Sequence, residues 1–316
     1  MTYSVIIPVF NEEANIRLLY GRMKEVMESL SPDFELLFVN DGSRDQTLSL
    51  IKELTLSDQR VRFIDLSRNF GHQIAVSAGL DSCTGERVII IDADLQDPPE
   101  LIPSMAARMD EGFQVVYARR KKRRGESVAK LWTARIFYRI LANIASISIP
   151  LDTGDFRIME RRVVDVLRSM PEQNKFLRGQ ISWIGFRQTF VEYERPERQG
   201  GKTGYTYAKM FRFALDGITS FSDAPLRLAS WMGFVVSGFA FIALLYALYG
   251  KFISHDSEPG WASLIVSVLF LGGIQLISLG FIGEYLSRIS SNVRQRPLYV
   301  VAETNIDEKK TRHSPE

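Results

Sequence analysis

The first half of the chain alternates short apolar runs with stretches of helical hydrophobic spacing. The apolar runs are rich in Val and Ile and predict β-strands over residues 4–10, 34–39, 61–66 and 87–91. Helical spacing lies between them, over residues 13–30, 47–56 and 73–80. This alternation predicts an α/β fold with a mostly parallel sheet and helices on both faces. Such a sheet binds ligands at the carboxyl ends of its strands.

The last third of the chain contains two long stretches without charged side chains, residues 228–250 and 259–283. Each is long enough for a helix of about 20 apolar residues to cross a bilayer. We therefore predict a two-helix transmembrane hairpin over residues 228–283. Two buried helices of a soluble domain are the alternative, but such helices rarely lack a polar stripe along their whole length. Glycines in the hairpin would permit close helix contacts in a homo-oligomer.

Residues 207–227 are amphipathic and predict a helix that lies on the membrane surface. A helix that packs on the soluble core is the alternative. Basic residues flank the hairpin towards both chain termini, whereas the loop between its helices carries Lys251 with Asp256 and Glu258. By the positive-inside rule both termini are cytoplasmic. We expect a catalytic domain over residues 1–206 and a cytoplasmic tail over 284–316, disordered after Ala302.

Composition and charge narrow the class of function. The net charge is only +2, so the chain lacks the positive field of a nucleic-acid-binding protein. The single cysteine, Cys83, excludes an intramolecular disulfide and a cysteine-rich metal site. The N-terminus lacks the basic start and the long apolar core of a signal peptide, so we expect the catalytic part to stay where it is synthesised.

The clearest candidate chemistry follows the fourth apolar run, where Asp92 and Asp94 enter a loop that also contains Gln96. At the end of a strand, two carboxylates spaced in this way can point at one position. Their oxygens suit Mg²⁺ or Mn²⁺, with substrate phosphates as further ligands. A bound metal would neutralise a leaving diphosphate. Pairs of aspartates are also common in surface turns.

A second candidate is Asp41, in the loop after the second predicted strand. Its carboxylate could accept a hydrogen bond from a nucleobase or a ribose, but an aspartate that forms a turn before Gly42 explains it equally well. Pro8 could form a wall of the same crevice. Glu12 could reach the ribose or the base, or could simply favour the positive end of the following helix.

These motifs together resemble the GT-A glycosyltransferases of family 2, whose fold is Rossmann-like. Within that family they resemble the polyprenyl-phosphate glycosyltransferases, which include dolichol-phosphate mannose synthase and the bacterial bactoprenol-phosphate glucosyltransferases. The resemblance covers about residues 3–225. The joint pattern is specific, although no single motif is. The matching segments are Val5–Glu12, Val39–Ser43, Leu66–Gly71, Ile91–Pro98 and Thr153–Arg157.

The resemblance implies a role for each candidate on the donor side. Asp41 would contact the base, with Pro8 and Glu12 nearby. The metal would lie among Asp92, Asp94 and Gln96. A basic loop would close over the donor diphosphate through Arg198 and Lys202, although Thr203-Gly-Tyr205 departs from the family's Ser-Lys-Tyr. A solvated basic linker is the alternative for this loop.

On the acceptor side, the resemblance points to arginines for the lipid phosphate, and the candidates are Arg119, Arg135 and Arg139. A guanidinium group can bind phosphate through two hydrogen bonds. For the basic run from Lys121 to Arg124, anionic lipid head groups are the alternative partner. Asp155 stands where relatives with hydroxyl acceptors keep a catalytic base. Here it would orient the acceptor or a sugar hydroxyl instead.

The predicted function is inverting transfer of a hexose from a nucleotide-sugar to a polyprenyl phosphate, at the cytoplasmic face of a bacterial plasma membrane. By resemblance the donor is UDP-glucose. A phosphomonoester has a second pKa of about 6, so this acceptor needs no strong base at pH 7. The alternatives are a GDP-mannose-dependent mannosyltransferase, a saccharide-extending transferase and a non-catalytic adaptor. The saccharide-extending class usually has Gln-x-x-Arg-Trp, where this chain has Gln180-Ile-Ser-Trp183.

Overall fold

The structure is a computed structural model that describes residues 2–121, 153–194, 224–249 and 260–306. The chain forms two compact units. The first contains the described residues up to 194 and those from Arg296 onward, and the second contains the described residues from 224 to Gln295. Several predicted features lie outside the described residues, namely Arg135, Arg139, Arg198, Lys202, the loop over 251–259 and nearly all of the predicted surface helix.

The first unit is built on an eight-stranded sheet. The strands are β1 (Tyr3–Val9), β2 (Phe34–Asn40), β3 (Val61–Leu66), β4 (Arg87–Ile90), β5 (Val115–Arg120), β6 (Thr153–Glu160), β7 (Gln188–Tyr193) and β8 (Val301–Thr304). Their order across the sheet is β7-β5-β6-β4-β1-β2-β3-β8. Six strands run parallel, whereas β6 and β8 run antiparallel to them. The mostly parallel sheet that the sequence predicts is therefore confirmed.

Helices cover both faces of this sheet, as the alternating pattern predicts. They are α1 (Ile16–Leu30), α2 (Thr47–Ser57), α3 (His72–Ser82), α4 (Ile102–Asp110), α5 (Arg161–Ser169) and α6 (Leu177–Ile184). Along β1, Val5 and Ile7 pack into one buried cluster with helices α1, α2 and α4, whereas Ile6 packs into a second cluster with α3, α5 and α6. Neighbouring residues of a strand point to opposite faces, so one strand supplies both cores.

The chain after Ala302 is not disordered as far as the structure describes it, so that expectation was wrong for residues up to 306. Strand β8 pairs antiparallel with β3 and covers what would otherwise be an open sheet edge. Asn305 supports the pairing, because its side-chain oxygen accepts a hydrogen bond from the backbone N–H of Phe63 at 2.8 Å. A charged composition misled the prediction, since an edge strand can expose its side chains and still satisfy its backbone.

The second unit contains α7 (Ala224–Tyr249) and α8 (Trp261–Arg294), which pack against each other. Large apolar side chains on both are exposed, including Phe234 and Leu276. Exposed apolar surface of this extent is typical of a helix that faces lipid or a partner. Within the described residues, one segment, Phe270–Arg294, is long and apolar enough to cross a membrane. The crossing of the bilayer by both helices stays a prediction.

Candidate active site

Polar residues meet at the carboxyl edge of the sheet because six strands end there and the antiparallel strand β6 begins there. Asp92 and Asp94 follow the end of β4, and Asp155 lies near the start of β6. The β4–β6 register pairs Ile90 with Arg157. When this register is continued, Asp155 stands opposite Asp92. Two carboxylates that are far apart in sequence thus share one end of the sheet.

His72, the first residue of α3, lies between these two carboxylates. Its Nε2 atom is 3.1 Å from Oδ2 of Asp155 and 3.6 Å from Oδ1 of Asp92. Burial opposes protonation, but the hydrogen bond with Asp155 and the charge of Asp92 outweigh it and raise the pKa of His72 above its ordinary value. Sequence reasoning assigned no role to His72. Its position next to the matched segment Leu66–Gly71 was the only signal.

Asp155 is held by two arginines that sequence reasoning also missed. Its Oδ1 atom accepts hydrogen bonds from Nη2 of Arg157 and from Nε of Arg178, both at 2.9 Å. Burial disfavours the charge on Asp155, but the hydrogen bond with His72 and the charges of Arg178 and Arg157 outweigh it. The pKa of Asp155 therefore lies well below its ordinary range. At neutral pH Asp155 is an anion that holds cations, and it is a poor proton acceptor.

The loop after β4 fits a divalent cation. Oδ1 of Asp92 is buried and has no hydrogen-bond partner within the part of the chain that the structure describes. Burial raises the pKa of Asp92 to about 6, against the opposing charge of His72. His72 lies too far from this oxygen for a hydrogen bond, and a buried carboxylate oxygen without a hydrogen-bond partner needs an explanation, which a bound cation supplies. Oδ1 of Asp94 accepts the backbone N–H of Gln96 at 3.1 Å, which turns the loop.

Protein side chains alone would not complete the coordination of such a cation. Among residues 2–121, 153–194, 224–249 and 260–306, no group of three or more His, Cys, Asp or Glu side chains is arranged to hold a metal. Mg²⁺ is usually bound by one or two carboxylates together with water and substrate phosphates. The carboxylates of this loop fit that mode of binding rather than a closed structural site.

Asp41 is 3% exposed and lies at the end of β2. Its two carboxylate oxygens accept hydrogen bonds from the backbone N–H groups of Phe70 and Gly71, at 2.7 and 3.0 Å. Asp41 thus holds the loop after β3 against the loop after β2. Its contact with a nucleotide base stays a prediction. Pro8 is buried within β1, and Oε2 of Glu12 accepts a hydrogen bond from Nδ2 of Asn15 at 2.6 Å.

A cavity of about 500 Å³ opens beside Asp41, at the carboxyl ends of β1, β2 and β3. This is the edge at which a sheet of this type binds nucleotides. The C-terminal strand β8 contributes one wall through Ala302. The lining residues are Phe10, Asn11, Gly42, Ser43, Arg44, Leu48, Asp65, Leu66, Ser67, Arg68, Asn69 and Ala302.

Arg119, the predicted acceptor arginine that the structure describes, lies near the end of β5. Its guanidinium group forms an ion pair with Glu192 and lies over the ring of Phe190, 3.3 Å from the ring centroid. The next residue, Arg120, points instead to two other side chains. They are Asp97, at the end of the loop that carries Asp92, and Tyr193, at the end of β7. Sequence reasoning gave these three residues no role.

Comparisons with known proteins identify the family of this chain. Residues 4–168 match the model of the glycosyl transferase family 2, and residues 224–289 match the model of the GtrB C-terminal hairpin. The chain is 50% identical over 299 residues to the uncharacterized glycosyltransferase YkcC of Bacillus subtilis. The aligned residues cover 95% of this chain and 93% of that protein.

Two further relatives carry more specific names. The prophage bactoprenol glucosyl transferase homolog of Escherichia coli is 42% identical over 301 residues, covering 95% of this chain and 98% of that protein. The bactoprenol glucosyl transferase of Shigella phage SfII is 40% identical over 305 residues, covering 96% of this chain and 99% of that protein. On the family match and on identities that extend over nearly its whole length, the chain belongs to the family 2 glycosyl transferases with a C-terminal hairpin of the GtrB type.

Proposed function

We propose that this glycosyltransferase moves a hexose from a nucleoside diphosphate sugar to a polyprenyl phosphate at the cytoplasmic face of a membrane. The observation that carries the proposal is the environment of Asp155, which accepts hydrogen bonds from both Arg157 and Arg178. A hydroxyl acceptor needs a base that removes its proton, and a carboxylate held by two guanidinium groups is unsuited to that task. A phosphate acceptor needs no such base.

A phosphomonoester has a second pKa of about 6, so at pH 7 it is mostly a dianion and is already nucleophilic. Its attack on the anomeric carbon, in line with the leaving diphosphate, would invert the configuration of the sugar. Arg119, with Arg135 and Arg139, would bind the acceptor phosphate. In this scheme Asp155 orients the acceptor or a sugar hydroxyl, and His72 and the two arginines keep it in place.

On the donor side, Asp92, Asp94 and Gln96 would hold Mg²⁺ or Mn²⁺. When bound, the cation supplies Lewis-acid stabilisation of the leaving diphosphate. Arg198 and Lys202 would add positive charge to the same group. Asp41, Pro8 and Glu12 would line the site of the base and ribose.

Glucose is the sugar we favour, with UDP-glucose as its donor. The support comes from relatives at 40–42% identity that carry the name bactoprenol glucosyl transferase. GDP-mannose is the second candidate. The same relatives favour a membrane-bound enzyme, whose two hairpin helices would span the bilayer and leave the catalytic domain in the cytoplasm.

A donor and acceptor screen tests this proposal with the full-length protein purified in detergent. UDP-glucose, UDP-galactose, UDP-N-acetylglucosamine and GDP-mannose are compared with undecaprenyl phosphate and Mg²⁺ or Mn²⁺. We expect the highest kcat/KM with UDP-glucose, and a product whose anomeric configuration, read by NMR, is opposite to that of the donor. The matched acceptor control is undecaprenol, which lacks the phosphate and should not react. A higher rate with undecaprenol than with the phosphate would contradict the proposal.

A further inference from the structure

Asp97, Arg120 and Tyr193 form a largely buried group, which we call the Asp97 cluster. It lies beside the loop that carries Asp92, Asp94 and Gln96, which we call the metal loop. The hydroxyl of Tyr193 donates a hydrogen bond to Oδ1 of Asp97, and Nη2 of Arg120 lies 3.4 Å from the same oxygen. Nε of Arg120 donates to the hydroxyl oxygen of Tyr193 at 3.0 Å. Asp97 and Tyr193 are 1% and 5% exposed. Asp97 and Tyr193 therefore lie out of contact with bulk water, whereas the side chain of Arg120 is 24% exposed.

The members of the Asp97 cluster come from three separate segments. Asp97 ends the loop that begins at Asp92, whereas Arg120 and Tyr193 are the last residues of β5 and β7. The backbone N–H of Lys121 also donates to the carbonyl of Tyr193 at 2.9 Å, so the two strand ends are joined directly. The cluster thus ties the far end of the metal loop to the rigid sheet.

The metal loop needs such support because of its backbone conformation. Leu95 has φ of 57°, in the left-handed region that a leucine rarely adopts. Residues held in this region persist only where the surrounding structure determines them, and they concentrate at functional sites. On one side of Leu95, Asp94 accepts the N–H of Gln96. On the other side, two residues further on, the cluster holds Asp97.

The cluster also contacts the strand that carries Asp155. Gly154 precedes Asp155, and a Cβ atom added there would lie 3.3 Å from Nη2 of Arg120 and 3.5 Å from Oδ2 of Asp97. That Oδ2 atom is buried and has no hydrogen-bond partner among the described residues. Asp97 and Arg120 therefore adjoin both sides of the candidate active site, the loop with Asp92 and the strand with Asp155.

We propose that Asp97, Arg120 and Tyr193 are positioning residues that hold the Asp92–Gln96 loop in the geometry that binds the divalent cation, a role that rests on the metal chemistry proposed above. None of the three needs to touch the cation or the sugar. Residues that orient metal ligands without binding the metal typically change metal affinity or activity by roughly 10–100-fold when they are replaced.

The chain contains a matched control for this proposal. Tyr20, Asp58 and Arg60 form a second Tyr–Asp–Arg group, in which the hydroxyl of Tyr20 donates to Oδ2 of Asp58 at 3.0 Å and Nη2 of Arg60 donates to it at 2.8 Å. Asp58 and Arg60 lie just before β3 begins at Val61, at the end of the strand opposite the candidate active site, and Tyr20 reaches them from α1. The two groups contain the same three residue types, but only the Asp97 cluster lies beside the metal loop.

The experiment compares Tyr193→Phe with Tyr20→Phe in the full-length protein purified in detergent. Binding of Mn²⁺ in the presence of UDP is measured by electron paramagnetic resonance of the free ion, alongside the thermal unfolding midpoint and the Mn²⁺ dependence of kcat. We expect Tyr193→Phe to weaken Mn²⁺ binding about tenfold and to regain much of its kcat at saturating Mn²⁺. Tyr20→Phe should bind Mn²⁺ as the wild type does, although it also loses a partly buried hydrogen bond to an aspartate.

Unchanged Mn²⁺ binding in Tyr193→Phe would overturn the positioning role. So would an equal loss in Tyr20→Phe, because the effect would then follow from lower stability alone. If Tyr193→Phe does not fold, Arg120→Lys tests the same point, since it keeps the charge and loses the planar fork. Wild-type protein that binds no Mn²⁺ in the presence of UDP would instead refute the proposed metal chemistry, so the two failures are distinguishable.

Discussion

Nε of Arg178 lies 2.9 Å from Oδ1 of Asp155, although the two residues are 23 positions apart in the chain. Arg178 comes from α6 and Asp155 from β6, so their meeting depends on how this helix packs on the sheet. With Arg157 on the same oxygen, Asp155 is a fixed anion. Asp155 stands at the position expected of a base, but its fixed negative charge instead binds the two arginines.

Replacement of Asp155 should therefore cost stability as well as activity. Arg157 is 1% exposed, and Asp155→Ala would leave its buried charge without its main partner. Breaking a buried ion pair in this way costs about 3–5 kcal/mol. We expect a large fall in the thermal unfolding midpoint of the purified protein. The control is Asp165→Ala, whose side chain is 54% exposed and whose pair with Arg168 should contribute under about 1 kcal/mol. Equal midpoints for the two variants would contradict this account.

Asp94→Asn tests the metal role directly. The substitution keeps the size of the side chain and removes a negative charge that Mg²⁺ or Mn²⁺ would use as a ligand. We expect loss of transfer activity with an unchanged unfolding midpoint, and the same loss when the wild type is treated with a chelator. Asp110→Asn is the control, because Asp110 is 65% exposed and pairs only with Arg87 among the residues described. Full activity of the wild type in excess chelator would refute the metal role.

A pair of glycine substitutions tests the loop after β2. In Gly42→Ala, the new Cβ would lie 2.5 Å from the carbonyl carbon of Arg68, and the residue has φ of +69°. Moving backbone atoms to relieve this contact costs more free energy than moving a flexible side chain. The Asp41 loop and the cavity beside it should therefore both distort. We expect weaker binding of UDP, measured by isothermal titration, and a lower unfolding midpoint. Gly21→Ala is the matched control, because nothing lies within 4 Å of its new Cβ and it lies in α1.

Gly21→Ala should leave UDP binding unchanged and should raise the free energy of unfolding by roughly 0.5–1 kcal/mol, since alanine loses less conformational entropy in a helix. Wild-type UDP affinity in Gly42→Ala would show that the cavity beside Asp41 does not bind the nucleotide. If both variants lost the same UDP affinity, the loss could not be attributed to the contact at Gly42.

Acid should weaken the Asp58–Arg60 pair in a defined pH window. The hydrogen bonds from Arg60 lower the pKa of Asp58 to about 2. The unfolded value is about 3.9, so the native state favours the ionised form. The resulting stability is fully present above about pH 5 and is lost as the pH falls towards 2. Asp58→Asn should cost roughly 2 kcal/mol near pH 7. The difference from the wild type should shrink as the pH is lowered from 5, and a constant difference would refute this assignment.

Cysteine labelling tests the orientation of the hairpin. Cys83 is 3% exposed and burial raises the pKa of its thiol to about 11, so it should give little background labelling. A cysteine in place of Ser257 should react with an impermeant reagent from outside the cell. A cysteine in place of Ser314 should react only after permeabilisation. The reverse pattern would place the catalytic domain outside the cytoplasm.

Much of the fold follows from short-range patterns in the sequence. The alternation of apolar runs and helical spacing predicts the parallel sheet because side-chain direction repeats over two residues in a strand and about four in a helix. The position of Asp92, Asp94 and Asp41 at one edge follows as well, because each lies in the loop that follows a predicted strand. The orientation of their side chains does not follow, and Asp41 proves to hold the loop of Phe70 and Gly71.

Only the tertiary structure brings His72, Arg178 and Tyr193 to the site. Each reaches it through a contact with a residue far away in the chain, and no local pattern encodes which partner the packing of strands and helices will supply. The C-terminal strand β8 also follows only from the tertiary structure. The charged composition of this segment predicts disorder, but β8 pairs with the unpaired edge of β3. The sequence by itself determined which elements form and which edge carries the chemistry. Register and packing decided which side chains meet there, because those contacts depend on distances in space rather than on separation along the chain.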